Sequence, residues 1–323
     1  MPGLPLVTGA AGFAGSHVVD HLLLFNQGVA AWTNPSSRRS AAAPAHTDDR
    51  VHWRAVDVLD TTAVAEALAE LRPSAIYHCA GVPHVGESWS DPVRALRVNT
   101  LGTHRLLEGM RRADIVCPVL VTGSAMVYRD SAERIDESHP IGPSGPYGVS
   151  KLAQEMVAAR AVHLRVFLTR PFNHAGPRQD PSFVTSSFAR QIAEIEAGVR
   201  EPVLRVGNLA SRRDITDVRD VARAYRLLVE RGRPLRPYNV CSGKGHRIAD
   251  LLETLIGMSS VRIQVQPDPA RMRPSDNPTI VGDHSRLTAD TGWEPEIPIE
   301  QTLRDLLEHW RSATVSSPPS ARP

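Results

Sequence analysis

The sequence predicts an α/β protein built on a doubly wound parallel sheet, with a smaller lobe toward the C-terminal end. Three observations predict it. Short apolar runs alternate with longer amphipathic ones through residues 4–171, the pattern of parallel β-α-β units. The first apolar run passes directly into a glycine-rich turn, TGAAGFAGSH, that opens the first amphipathic run. Beyond Pro171 the alternation loosens and proline and arginine become frequent, marking a change of architecture.

In chain order, LPLV (4–7) reads as a buried strand. FAGSHVVDHLLLFNQG (13–28) reads as a helix with Val18, Val19, Leu22 and Leu23 inward and Gly28 as its stop. VAAW (29–32) is the second strand, followed by a polar, Pro- and Ala-rich loop through Asp49. VHWRAVDV (51–58) is the third strand, TTAVAEALAEL (61–71) a helix and SAIYHCAG (74–81) the fourth strand. A long helix covers 91–112, CPVLVTGS (117–124) is the fifth strand, and a helix starts near Pro146. HLRVFLTRP (163–171) is the sixth strand and closes a first domain, residues 1–171. Residues 172–312 are expected to form the lobe, with helices near 182–198, 218–231, 247–257 and 300–312 and some strands returning to the main sheet. The tail 313–323 has no packing pattern and reads as mobile.

A chain of 323 residues can bury one large core or two modest ones. With 41% hydrophobic and 22% charged residues, the composition is that of an ordinary soluble protein. Net charge is +2 with no long basic run, so there is no nucleic-acid footprint. Cys79, Cys117 and Cys241 are odd in number and far apart, which suits reduced thiols and offers neither a disulfide frame nor a metal spacing. No apolar run reaches the length of a membrane span, and the first residues lack the charge and apolar core of a secretion signal. A cytoplasmic protein without membrane or nucleic-acid partner is expected.

Candidate chemistry starts at the glycine turn. Gly9, Gly12 and Gly15 sit between strand and helix, with Phe13 and Ala14 opening the helix. Glycines there permit a tight turn and close approach to a pyrophosphate, and the helix start supplies N–H donors. This predicts dinucleotide binding on a Rossmann-type sheet. At the end of the second strand an acid would hold an NAD ribose, whereas arginine accommodates a 2′-phosphate. The sequence has no acid there and carries Arg38 and Arg39, so NADP(H) is preferred, with NAD(H) still open. Farther on, SGPYGVSKLAQE sets Lys151 four residues after Tyr147, on one helix face. Lys151 is one of two lysines, against 35 arginines. An adjacent ammonium favours the phenolate, and lowering a phenol from about 10 to about 7 takes roughly 4 kcal/mol. The same pair also occurs on ordinary exposed helices.

The ordered set TGAAGFAG, VDV, HCAG, RVNTLGT, VTGSAMVY, PYGVSK and RPFNHAGP resembles the extended short-chain dehydrogenase/reductase family, which acts on nucleotide sugars. The resemblance covers roughly residues 4–312. It implies Tyr147 as acid/base, Lys151 lowering its pKa and holding the nicotinamide ribose, and Ser124 bonding the reacting sugar oxygen. It further implies that Asp57 and Val58 meet the adenine, that Ala80 and Gly81 line the pyrophosphate and ribose, and that Asn99 and Thr122 complete the cofactor site. In the second half, RPFNHAGPRQDPSFV, FARQI, VGNLASRRDITDVRDV, YNVCSG, RMRPSDNPTIVGDHSRL and TGWEPEIPIEQTL resemble the branch that reduces GDP-4-keto-6-deoxy-D-mannose to GDP-D-rhamnose. That resemblance assigns Asn173, Arg190, Arg213 and Arg273 to the nucleotide diphosphate of a GDP-linked deoxysugar, where guanidinium forks pair with phosphate. His84 falls in a substrate-facing loop, and a homodimer through the helices near 91–112 and 147–161 is implied.

Relatives that dehydrate their sugar carry an acid beside the catalytic Ser or Thr. Here Ser124 is followed by Ala125 and Met126, which counts against a GDP-mannose 4,6-dehydratase-like reaction. A C4 epimerase holding NAD tightly has a similar SAMVY pattern. Arg129 departs from the glycine common after the Tyr128 position. A non-enzymatic NADP-binding regulator, or a scaffold, is disfavoured by the presence of Ser124, Tyr147 and Lys151 together.

Overall fold

Consecutive apolar residues suit strands covered on both faces, and these runs fold as expected. The structure, a computed structural model, describes residues 3–36, 48–272 and 279–315. In the first half the strands are β1 (Leu6–Thr8), β2 (Val29–Thr33), β3 (Val51–Ala55), β4 (Ile76–His78), β5 (Val119–Thr122) and β6 (Val166–Pro171). Then follow β7 (Asn173–Ala175), β8 (Val203–Val206), β9 (Arg212–Asp217), β10 (Pro237–Val240), β11 (Gly245–Arg247), β12 (Gln264–Pro267) and β13 (Thr279–Ile280). A seven-stranded sheet runs β10-β6-β5-β4-β1-β2-β3 with every neighbouring pair parallel. The strand order reverses at β1, between β2 on one side and β4 on the other, and ligands of such sheets bind where the carboxyl ends diverge. β10 comes from beyond Pro171 and joins this sheet beside β6.

Helices cover both faces. α1 (Phe13–Leu23) lies on one face with a helix over Val218–Arg231, through Val18, Val19, Leu22, Val221, Tyr225 and Leu228. On the other face α2 (Thr61–Leu71) packs with helices over Gly102–Arg112 and Pro146–Ala159, through Val64, Leu68, Leu106, Met110 and Ala158. Each such Val or Leu contributes roughly 1.5–3 kcal/mol on full burial. β9 centres a second sheet with β7, β11 and β13, and β8 pairs with β12. Helices over Val184–Glu196, Ile248–Gly257 and Ile299–Val315 enclose a separate core with Phe188, Ile192, Leu252 and Leu306. The last of these runs past the expected end at residue 312. Among the described residues no helix is long and apolar enough to cross a membrane.

Several bounds differ from expectation for local reasons. α1 ends at Leu23, where the Leu24 N–H turns back to the His21 carbonyl and the Asn26 side chain donates to the Leu22 carbonyl. β3 stops at Ala55 because Asp57 makes a turn, its carboxylate accepting from the Leu59 N–H and its carbonyl from the Asp60 N–H. Short helices α3 (Val85–Ser90) and one over Ser285–Thr291 carry no strong sequence pattern. The helix expected over 91–112 is composite: α4 (Pro92–Ala95), a π-helical stretch Leu96–Leu101, then α5 (Gly102–Arg112). The wider π turn carries Asn99, a fully buried amide.

Candidate active site

The glycine turn leaves β1 at the point where the strand order reverses. Gly9 has φ 66°, and a side-chain carbon on it would stand 2.7 Å from the Ala80 backbone. A side-chain carbon on Gly15 would collide with the Gly9 carbonyl oxygen. Gly12 is the N-cap of α1 and provides no side-chain cap, and there is no acid in the first turn. The first N–H groups of α1, from Phe13 and Ala14 onward, are thus left for an anion. Both features fit a dinucleotide pyrophosphate held by backbone.

Across the crevice, β4 leads into Ala80 and Gly81. The Ala80 N–H donates to Thr8 Oγ1 at 3.2 Å. A side-chain carbon on Gly81 would sit 2.8 Å from Asn99 Oδ1 and 3.6 Å from Lys151 Nζ. Asn99 in turn accepts from the Val82 N–H (2.8 Å) and donates to Ser150 Oγ (2.9 Å), fastening the loop to α6 (Pro146–Ala159). Thr122, at the end of β5, donates through its hydroxyl to the His78 carbonyl. Asp57 and Val58 follow β3, Val58 buried against Gly102. Gly9, Gly12, Gly15, Ala80, Gly81, Asn99, Thr122, Tyr147 and Lys151 are therefore gathered around the carboxyl ends of β1, β4 and β5. Arg38, Arg39 and Arg273 lie outside the described residues.

Ser124 opens a 3-10 turn after β5, its Oγ accepting from the Met126 N–H. It also hydrogen-bonds the Tyr147 phenol. Tyr147 is pushed up to about 12 by loss of hydration, the Ser124 hydrogen bond opposing this. Lys151 Nζ is 6.0 Å from the Tyr147 ring centre and is turned to the Thr122 carbonyl (2.8 Å) and Gln154 Oε1 (3.0 Å). Burial pulls the ammonium down to about 8. In this geometry Tyr147 is a proton-holding phenol.

The lobe residues are less concentrated. Asn173 is exposed on β7, Arg213 partly buried on β9, and the two strands pair in parallel. Burial lowers Arg213 from its ordinary value, with Asp130 opposing. His84 caps α3 and stacks on Phe183 with ring centres 5.2 Å apart. Arg190 is engaged elsewhere: it pairs with Glu194 at 2.6 Å and lies over the Trp310 ring, so a phosphate would have to compete with that pair.

Sequence reading missed two polar groups beneath the site. One is the buried string Thr8, His78, Thr103 and Gln154. The other is Arg170, which makes a twofold bond to Glu155 (2.5 and 2.9 Å), donates to Tyr128 Oη (3.0 Å) and covers its ring. Tyr128 Oη donates onward to Asn239 at 2.6 Å. Glu155, four residues after Lys151, was the one local signal for the second group.

A family described as GDP-mannose 4,6 dehydratase matches residues 6–306. GDP-6-deoxy-D-mannose reductase of Pseudomonas aeruginosa is 37% identical over 95% of this chain and 96% of its own. UDP-glucose 4-epimerase of Bacillus subtilis is 28% identical over 98% of this chain and 99% of its own. Among solved structures, RMD of P. aeruginosa complexed with NADPH superimposes with a TM-score of 0.83 at 35% identity, over 96% of this chain and 99% of that one. UDP-glucose 4-epimerase of Thermus thermophilus with NAD gives 0.82 at 31% identity, over 97% and 100%. The match over nearly the whole chain, carried on a glycine turn at the strand switch and a Ser-Tyr-Lys cluster, shows that the protein belongs to the GDP-mannose 4,6-dehydratase family of extended short-chain dehydrogenases/reductases.

Proposed function

We propose that the protein is a reductase that uses NADPH to reduce the C4 ketone of GDP-4-keto-6-deoxy-D-mannose, giving GDP-D-rhamnose. The observation that carries this reading is the cluster of Ser124, Tyr147 and Lys151 beyond the carboxyl end of β5, with Ala125 rather than an acid beside Ser124. A ketone reductase needs a proton donor at the carbonyl oxygen, and a dehydratase needs a carboxylate that this turn lacks. Ala125 instead enters an apolar cluster with Val127, Phe172 and Cys241.

When bound, NADPH supplies the hydride that C4 accepts. Tyr147 Oη passes its proton to the C4 oxygen, so carbonyl becomes alcohol with one hydride and one proton gained. Ser124 Oγ donates to the same oxygen and stabilises the charge that develops there. Lys151 would hold the nicotinamide ribose. The backbone N–H groups of α1 would hold the pyrophosphate, Asp57 and Val58 the adenine, and Arg213 and Asn173 the GDP side. The same reading places the enzyme in the cytoplasm.

NADPH consumption with GDP-4-keto-6-deoxy-D-mannose, followed by identification of the product, tests this. Stoichiometric oxidation with GDP-D-rhamnose formed is expected. No oxidation by folded, NADPH-bound protein would sink the reductase reading, and protein purified with tightly held NAD and no net reduction would favour a C4 epimerase. Gly15→Ala should abolish NADPH binding, because the added methyl meets backbone that cannot move aside; a fluorescence titration reads this out. We also propose a homodimer through α3, α4 and α6, whose outward faces expose Trp89 and Met156, each 62% accessible, and Val93. Sedimentation equilibrium should give twice the chain mass, and Met156→Glu should give one.

A further inference from the structure

Lys151 meets no carboxylate among the described residues; its ammonium faces two neutral oxygens, the Thr122 carbonyl and Gln154 Oε1. The proton positions behind Gln154 follow from valence. Thr103 Oγ1 donates its single proton to the Asn99 carbonyl at 2.8 Å. Its other two contacts, Gln154 Nε2 at 2.8 Å and His78 Nε2 at 2.9 Å, must therefore donate to it. His78 accordingly carries its proton on Nε2 and accepts at Nδ1 from Thr8 Oγ1, 2.8 Å away. Thr8 Oγ1 in turn accepts from the Ala80 N–H. His78 is fully buried, and loss of hydration, then Lys151, push it down to about 3, so the imidazole stays neutral.

This string allows only one orientation of the Gln154 amide. Turning it over would set its NH₂ against the ammonium, and its oxygen against a threonine oxygen with no proton left. We propose that Gln154 is a positioning residue: oriented by Thr8, His78 and Thr103, it fixes the Lys151 ammonium beside Gly81, so that lysine and cofactor loop are set by one hydrogen-bonded string. This rests on the proposed role of Lys151 at the cofactor ribose. A glutamine serves here because it accepts from the ammonium and donates to Thr103 together. Leucine does neither, and glutamate would add a charge. The other ionisable groups facing Lys151 are Cys79, held neutral by burial, His78 and the protonated Tyr147.

The test is NADPH affinity, read by fluorescence across pH, for the wild type, Gln154→Leu and Gln154→Glu, with thermal midpoints as a folding control. Gln154→Leu should weaken NADPH roughly 10-fold, the scale of one lost bond to a charged group. Gln154→Glu keeps the acceptor for the ammonium but sets an oxygen against Thr103 Oγ1, whose proton is already given to Asn99, so its affinity should fall between the wild type and Gln154→Leu. Burial pulls the Lys151 ammonium down to about 8, so wild-type affinity should fall as pH rises through that range. A carboxylate at 154 favours the ammonium and should move this fall to higher pH. Unchanged affinity in Gln154→Leu, or an alkaline fall that stays in place in Gln154→Glu, would overturn the proposal. If Gln154→Leu does not fold, the pH shift in Gln154→Glu decides alone. No sugar enters this assay, so a wild type without turnover on the proposed substrate counts against the reductase reading and not against this one.

Discussion

Tyr147→Phe should lower turnover of the keto-sugar by roughly 10²–10⁴-fold, the range spanned by loss of a general acid, while NADPH affinity changes little. Phenylalanine keeps the ring and removes only the proton-bearing oxygen. Ser124 remains on its 3-10 turn, held by the Met126 N–H, so the carbonyl oxygen still finds one donor and the loss need not be complete. Steady-state NADPH oxidation and a separate NADPH titration distinguish the two effects. A variant that bound NADPH normally and turned over at the wild-type rate would remove Tyr147 from the reaction. The direction of the pKa shift sharpens this expectation. With the phenol pushed up to about 12 by lost hydration, Tyr147 stays protonated throughout the neutral range. It should therefore impose no acid–base limb of its own there.

Glu155→Ala should destabilise the fold by about 3–5 kcal/mol, the usual consequence of removing one partner of a buried ion pair. The Arg170 side chain is 6% accessible and Glu155 12%, so water cannot replace the lost carboxylate. Arg170 would keep only its bond to Tyr128 Oη and its place over that ring. The damage would reach beyond α6. Tyr128 Oη donates to Asn239, whose amide donates to the Ile135 carbonyl and whose backbone N–H donates to Glu137. This group joins α6, β6, the turn after Ser124 and β10. Glu155→Gln keeps hydrogen bonding without charge and should fall between the two. Thermal denaturation with and without NADPH measures the effect. An unchanged midpoint in Glu155→Ala would show that the pair contributes nothing net.

The element order and the grouping of Tyr147 with Lys151 were legible in the sequence because their determinants are local. Alternating apolar runs specify strands and helices over a few residues at a time. Gly9, Gly12 and Gly15 declare a turn through their lack of side chains, and Tyr147 and Lys151 share a face because a helix returns every four residues. No local signal placed a π turn at Asn99 or said which later strand, β10, would join the main sheet.

The state of the cluster was decided only by tertiary structure. Spacing puts Lys151 on the face of Tyr147, and the folded chain removes water from both and aims the ammonium at Thr122 and Gln154. Hydration lost by packing then raises the phenol, with the ammonium 6.0 Å from the ring centre. The string behind it joins His78 to Thr103 across 25 residues and Thr103 to Gln154 across 51. Such contacts depend on strand order and helix packing, which no short window of sequence encodes. The sequence by itself determined which groups are present and how they are spaced along each element. Packing determined which of them lose water, which way each proton points, and so what each can do.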